Sequence, residues 1–372
     1  MNNLKKYNYV IIGNSAGGIG AAEAIREIDK IGTMAVISDE LYHVYSRPMI
    51  SEYLSGKSDF SRMLYRPENF YDKEDIQAIL GVKVEQIDPH AHTIKLDNQE
   101  IIGFESLLLA AGGKAIVPKL KGIELNGVFN FITLNDAKAV LEYSKHNVQR
   151  AVVIGGGLIG VSVTEALVKL GIKVTIVEMK EHLLNTMLDE ESSLLVESKL
   201  TGARVDIITG ETVVEIVGSP FQAVSGIKTN SGRDISCQMV ITAIGVQPRS
   251  ELAAEAGIKV NRGIAVDRRM MSSVPGIYAC GDAAEAYDFV YNENRLTFIW
   301  PNAYLGGRIA GLNMAGSADE YPGGTSMNSL KYFGLTIVSA GMVYPPDNSF
   351  EVLSGRNKDN CKKVILKDGC IK

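Results

Sequence analysis

The chain has 372 residues, room for about two and a half domains at ~150 residues each, which excludes a single small module. Its 38 basic and 43 acidic residues leave a net charge of −5, against bulk electrostatic binding of nucleic acid or of an anionic membrane. The four cysteines (Cys237, Cys280, Cys361 and Cys370) form no CxxC pair, which argues against a disulfide-stapled scaffold and a clustered zinc site. Glycine is the outlier, at 37 residues beside only 11 prolines, so tight turns and close backbone approaches are expected rather than a flexible linker.

The N-terminus runs directly into an apolar strand, YNYVIIG at 7–13, with no signal-peptide core before it. No apolar stretch reaches the ~20 residues needed to span a bilayer, so a cytoplasmic protein without a membrane span is expected. A glycine-rich turn and a helical stretch, GIGAAEAIREI, lead into a second strand, TMAVIS at 33–38. Residues 82–111 then give short alternating strands, VKVEQID, HTIKLD and ESLLLAA.

The pattern repeats from residue 150: RAVVIG, a glycine turn, the helical GVSVTEALVKLG and the strand KVTIVE at 173–178. A second strand set covers 205–246, with an NSG hairpin turn inside VSGIKTNSGRDIS. Two βαβ echoes in one chain imply two parallel-sheet nucleotide domains of the Rossmann type, each with an antiparallel meander. After residue 263 come GIAVD, then VPGIYACGDAAEA, and a helix from Pro301 to about Gly316. The tail from 326 reads as strands of a third, small α/β unit that stops at KDGCIK as if incomplete.

Both turns carry a dinucleotide fingerprint. In such a loop the first glycine makes the turn, the second admits the pyrophosphate, and the third lets helix and strand close up. The first motif is Gly13-Asn14-Ser15-Ala16-Gly17-Gly18, with the small donor Ser15 at the second position. Asp39 and Glu40 follow the second strand at the spacing of a ribose-binding acid, and the sequence does not choose between them. The second motif is complete, Gly155-Gly156-Gly157-Leu158-Ile159-Gly160, and closes with Glu178 at the end of its strand. A carboxylate there accepts from a ribose 2′-hydroxyl and repels a 2′-phosphate, and no arginine follows in MKEHLL, so NADH is favoured over NADPH.

With these fingerprints, LLAAGG at 108–113, AIGVQP at 243–248 and IYACGD at 277–282, the whole chain resembles the FAD-dependent pyridine nucleotide-disulfide oxidoreductase superfamily. Within it, the chain looks like the NADH:rubredoxin and NADH:ferredoxin reductase branch. The resemblance implies a glutathione-reductase-like α/β fold, with an FAD domain over 1–118 and 246–325, an NAD domain over 119–245, and a partial interface domain over 326–372. FAD contacts implied by the resemblance are Gly13, Ser15, Ala16 and Gly18 in the first loop, with Asp39 or Glu40 on the ribose. It adds Arg47, Val84, Ala110 and Gly112, Asp282 on the ribityl hydroxyls, and Trp300 and Asn302 beside the flavin. NAD(H) contacts are Gly155, Gly157, Leu158, Ile159, Gly160, Glu178 and Gly245.

The departures matter as much. Ala111 stands where the family usually has threonine, and Ala16 where water-forming NADH oxidases carry a histidine. The SRPMISEYL segment lacks the redox cysteine of the disulfide reductases, which disfavours disulfide reduction by that route. Glu52 and Ser162 replace the lysine and glutamate of many relatives, leaving Glu52 as the one candidate catalytic side chain. The five histidines are scattered and read as surface residues, and no metal site is expected.

The implied function is an NADH-dependent flavoprotein reductase that passes electrons to a redox protein such as rubredoxin or ferredoxin, to a quinone, or to oxygen. Competing readings are an NADH-oxidising subunit of a larger dehydrogenase or nitrite-reducing complex, and a flavin-binding redox sensor. A homodimer or a larger redox complex is compatible with each.

Overall fold

A computed structural model describes residues 4–357 and 359–372, which divide into two compact units. The first comprises residues up to Ser46, Met63–Lys114 and Gln247–Ser326; the second comprises Arg47–Arg62, Ala115–Val246 and Met327–Lys372.

The first unit is built on one sheet. Strands Ile76–Leu80, Met34–Ser38, Lys5–Ile12, Ile101–Leu109 and Ile277–Ala279 lie side by side in that order, all parallel. The inner strands are buried almost throughout, which explains why they read as apolar runs rather than alternating ones, whereas the outer Ile76–Leu80 is mostly half-buried. The expected meander extends this same sheet: Thr93–Leu96 pairs antiparallel with the first residues of Ile101–Leu109, and Val84–Asp88 pairs antiparallel with Thr93–Leu96. Helix Ala16–Ile28 follows the first strand, and helix Trp300–Met314, begun by Pro301 in its first turn, packs against it.

That helix pair is unusually close. A Cβ added at Gly307 would lie 2.0 Å from the Gly17 carbonyl oxygen, one at Gly20 2.4 Å from the Tyr304 oxygen, and one at Gly311 2.4 Å from the Ala21 oxygen. Ion pairs flank the seam, with Arg308 on Glu27 at 2.7 Å and Arg66 on Glu23 at 2.6 Å.

The second unit repeats the design. Strands Asp206–Ile208, Lys173–Val177, Arg150–Ile154, Met239–Thr242 and Val128–Asn130 form a five-stranded parallel sheet with an apolar core of its own. Here the meander (Val213–Gly218, Val224–Thr229, Asp234–Ser236) is a separate antiparallel sheet, turning at Asn230–Gly232 as the NSG signal predicts. Residues 47–54, a short 3₁₀ turn and helix Ile50–Leu54, pack in this unit against helices Leu134–Ser144 and Leu158–Lys169.

The tail differs from the α/β unit expected of it. Among its described residues there are only strands: the hairpin Met327–Tyr332 and Leu335–Ala340, and the sheet Glu351–Arg356, Cys361–Lys367 and Cys370–Ile371. Its helical cover comes from Glu190–Gly202, against which strand Cys361–Lys367 lies. The hairpin turns through Phe333 (φ 48°) and Gly334 (φ 81°), the two left-handed residues that match a type I′ turn to the twist of its strands.

Candidate functional site

The two fingerprint loops share one geometry. Gly13 (φ 122°) donates its N–H to the Ile37 carbonyl at 2.8 Å, and Gly155 (φ 104°) to that of Val177 at 2.8 Å. A Cβ at Gly18 would sit 2.0 Å from the Gly13 oxygen, and one at Gly160 2.0 Å from the Gly155 oxygen. Only glycine permits these turns, so each helix begins hard against its strand.

What the loops present is suited to an anion. Neither helix has an acidic residue in its own first turn, so neither offsets the positive end of its dipole with a carboxylate of its own. Ser15, the N-cap of the first helix, makes no capping bond with its own hydroxyl, and Gly157 faces open space where a Cβ would touch nothing within 4 Å. Gly112 (φ 71°) is open in the same way. These features fit the dinucleotide phosphates that the two motifs imply.

Around the first loop, Ala16 is buried and Ala110, whose N–H bonds the Ile12 carbonyl at 2.8 Å, backs directly onto Gly13. Asp39 forms an ion pair with Arg249 at 2.7 Å, while the buried Glu40 accepts from the Tyr45 hydroxyl at 2.7 Å. Asp282 is half-buried in the 3₁₀ turn Gly281–Ala283 after its strand. Val84 is only 3% exposed and belongs to the hydrophobic core. Trp300 opens its helix and meets Tyr65 edge-on at 4.9 Å; Asn302 donates to the Thr325 carbonyl at 3.0 Å and to the Thr297 hydroxyl at 3.2 Å. Arg47 and Glu52 fall in the second unit, where Glu52 pairs with Lys57 at 2.6 Å.

At the second loop, Glu178 is buried and works on both sides of the turn. One carboxylate oxygen accepts from the Gly156 N–H at 2.6 Å and the other from the Lys180 N–H at 2.8 Å. Leu158 and Ile159 open the helix behind Gly157, and Gly245 (φ 125°) accepts from the Ile116 N–H at 3.0 Å.

Some supporting residues carry no sequence signal. Asn14 bonds the Tyr42 carbonyl at 3.2 Å and accepts from the Tyr71 hydroxyl at 2.8 Å, so the first loop is braced by a residue 57 positions away. Leu184 bonds the Gly156 carbonyl at 2.8 Å, bracing the second. His43 corrects the surface reading of the histidines: its ring lies 4.6 Å from that of Tyr71, and its Nε2 is buried without a hydrogen-bond partner. Burial also pushes the thiols of Cys280 and Cys237 up to about 12. Among the described residues no cluster of His, Cys, Asp or Glu could hold a metal ion, and no helix is long and apolar enough to cross a membrane.

Residues 7–304 match the family model described as pyridine nucleotide-disulphide oxidoreductase. The chain is 27% identical to the assimilatory nitrate reductase electron transfer subunit of Bacillus subtilis (strain 168), over 94% of its own length and 44% of that protein. It thus spans less than half of that relative. It is 31% identical to the NADH oxidase of Methanocaldococcus jannaschii, over 84% of its length and 71% of the relative. Among solved structures it resembles an NAD-dependent persulfide reductase from A. fulgidus with a TM-score of 0.88 and 27% identity, over 97% of this chain and 72% of the other.

Proposed function

The chain belongs to the pyridine nucleotide-disulphide oxidoreductase family, and we propose that it is an FAD-dependent NAD(P)H:acceptor oxidoreductase whose donor is NADH and whose acceptor is an external redox protein or small molecule. The reading is carried by the loop built twice, with Gly18 against Gly13 and Gly160 against Gly155, each opening a helix free of acidic residues at its start. When bound, FAD supplies the link between a two-electron donor and one-electron acceptors.

The chain's own residues bind and orient. The first loop, with the Ser15 hydroxyl, receives the FAD pyrophosphate, and Asp282 accepts from the ribityl hydroxyls. The second loop receives NADH, with Glu178 beside its glycines as the ribose acceptor. Hydride transfer requires no protein acid or base, so Glu52, already paired with Lys57, is given no proton to move. A disulfide acceptor is disfavoured, because residues 46–54 hold no cysteine and the thiols of Cys237 and Cys280 are buried and raised.

The test is anaerobic mixing of the FAD-loaded protein with NADH, then steady-state turnover against rubredoxin, ferredoxin, quinone, nitrite and oxygen. We expect flavin bleaching within seconds and turnover with at least one one-electron acceptor. Bleaching slower than minutes would turn the reading toward a redox sensor. A second reading, the NADH-oxidising subunit of a larger complex, is supported by the likeness to an electron transfer subunit. Copurification of one stoichiometric complex would select it.

A further inference from the structure

Within the second unit, the tail hairpin grips the helix that follows the second fingerprint. The Tyr332 hydroxyl donates to the Leu158 carbonyl oxygen at 3.4 Å, and the Ser162 side chain lies beside it. One residue on, the Phe333 N–H bonds Glu165 Oε1 at 3.2 Å, and Glu165 pairs with Lys169 at 3.2 Å. Residues 158, 162, 165 and 169 form one stripe of the helix, so the hairpin tip meets a single face, beginning in its first turn. Tyr332 is buried, and the left-handed Phe333–Gly334 turn fixes where its ring enters.

Ser162, one turn along the helix from Leu158, stands beside the tail's phenol. The first turn of this helix carries the amides that the fingerprint aims at the dinucleotide phosphates; besides the close packing of Gly160 on Gly155, the helix rests on its own sheet, on helix Ile50–Leu54 and on this hairpin.

We propose that Tyr332 is a positioning residue for NAD(H), holding the first turn of the Leu158–Lys169 helix in its binding orientation through Leu158 and Ser162. This rests on the second fingerprint being the NAD(H) site. Tyr332 acts through the helix and touches neither reactant, so its loss weakens binding and leaves the chemical step alone.

The test is Tyr332→Phe in the FAD-loaded enzyme, with NADH as donor and ferricyanide as acceptor. Losing one buried hydroxyl contact is expected to raise KM for NADH about five-fold, with kcat within about two-fold of wild type. Burial pushes the Tyr332 hydroxyl up to about 12, so the KM effect is the same at about pH 6 and about pH 9. Ser162→Ala raises KM in the same direction, and adding it to Tyr332→Phe gives less than the product of the two single effects. It decides the matter alone if the Tyr332 variant does not fold. An unchanged KM, a parallel fall in kcat, or full additivity overturns the proposal. Gly157→Val separates the two levels. If it still turns over NADH, the site assignment is wrong; if it fails while Tyr332→Phe keeps its KM, only the role of Tyr332 is wrong.

Discussion

Glu178 does two jobs with one carboxylate. Its oxygens hold the Gly156 and Lys180 amides, and the same buried group stands at the end of its strand, where we propose that it reads a ribose 2′-hydroxyl. Replacing it therefore changes both the shape of the loop and its preference. Glu178→Arg should lower the NADH-over-NADPH ratio of kcat/KM by about ten-fold or more, since a 2′-phosphate gains a partner where it met a like charge. Absolute turnover with either donor should also fall, because the Gly156 N–H loses its acceptor. An unaltered ratio in steady-state assays of both donors would remove the ribose assignment. The position of Glu178 was legible from KVTIVE and its spacing to the glycines. Its bond to Gly156 was not, because no local pattern reports which way a strand-end carboxylate turns. The same holds for Asn14 and Tyr71, which meet across 57 positions that no periodicity connects.

At the scale of elements, the sequence gives the glycines of the first fingerprint an immediate purpose but none to Gly307 and Gly311 in AYLGGRIAGLN. Their reason is another helix. Each faces backbone of Ala16–Ile28 at a separation no Cβ tolerates, and a small-residue stripe has no meaning until its partner element is known. Gly307→Ala would place a methyl 2.0 Å from the Gly17 carbonyl oxygen, which is backbone and cannot step aside. The helices must then separate, at about 1–3 kcal/mol of overpacking cost, and the fingerprint helix moves off its loop. We expect a lower melting temperature and substoichiometric FAD in the purified protein. Gly202→Ala, at a helix end where a Cβ meets nothing within 4 Å, should leave both unchanged. Equal behaviour of the two variants would mean that the helix seam does not position the flavin loop. The tail hairpin shows the converse. Its strands were legible, but the left-handed Phe333 was not, because a phenylalanine before glycine carries no turn signal of its own.

At the scale of the molecule, each unit has its own parallel sheet, apolar core and glycine fingerprint loop. The doubled βαβ pattern made this organisation legible, because it depends on local periodicity and on glycine spacing. The membership of residues 47–62 and of the tail in the second unit was not, since it depends on contacts with helices Leu134–Ser144, Leu158–Lys169 and Glu190–Gly202 that are distant in sequence. Two cores imply two cooperative transitions wherever neither ligand couples them. Protein stripped of FAD should therefore show two calorimetric unfolding steps. Adding FAD at about one hundred times its Kd should stabilise only the step of the first unit, by about 2.7 kcal/mol from mass action. NAD⁺ should raise only the other step, and in Gly157→Val it should raise neither. A single transition moved alike by both ligands would show that the units unfold as one, and the separate cores would then not be separate thermodynamic domains.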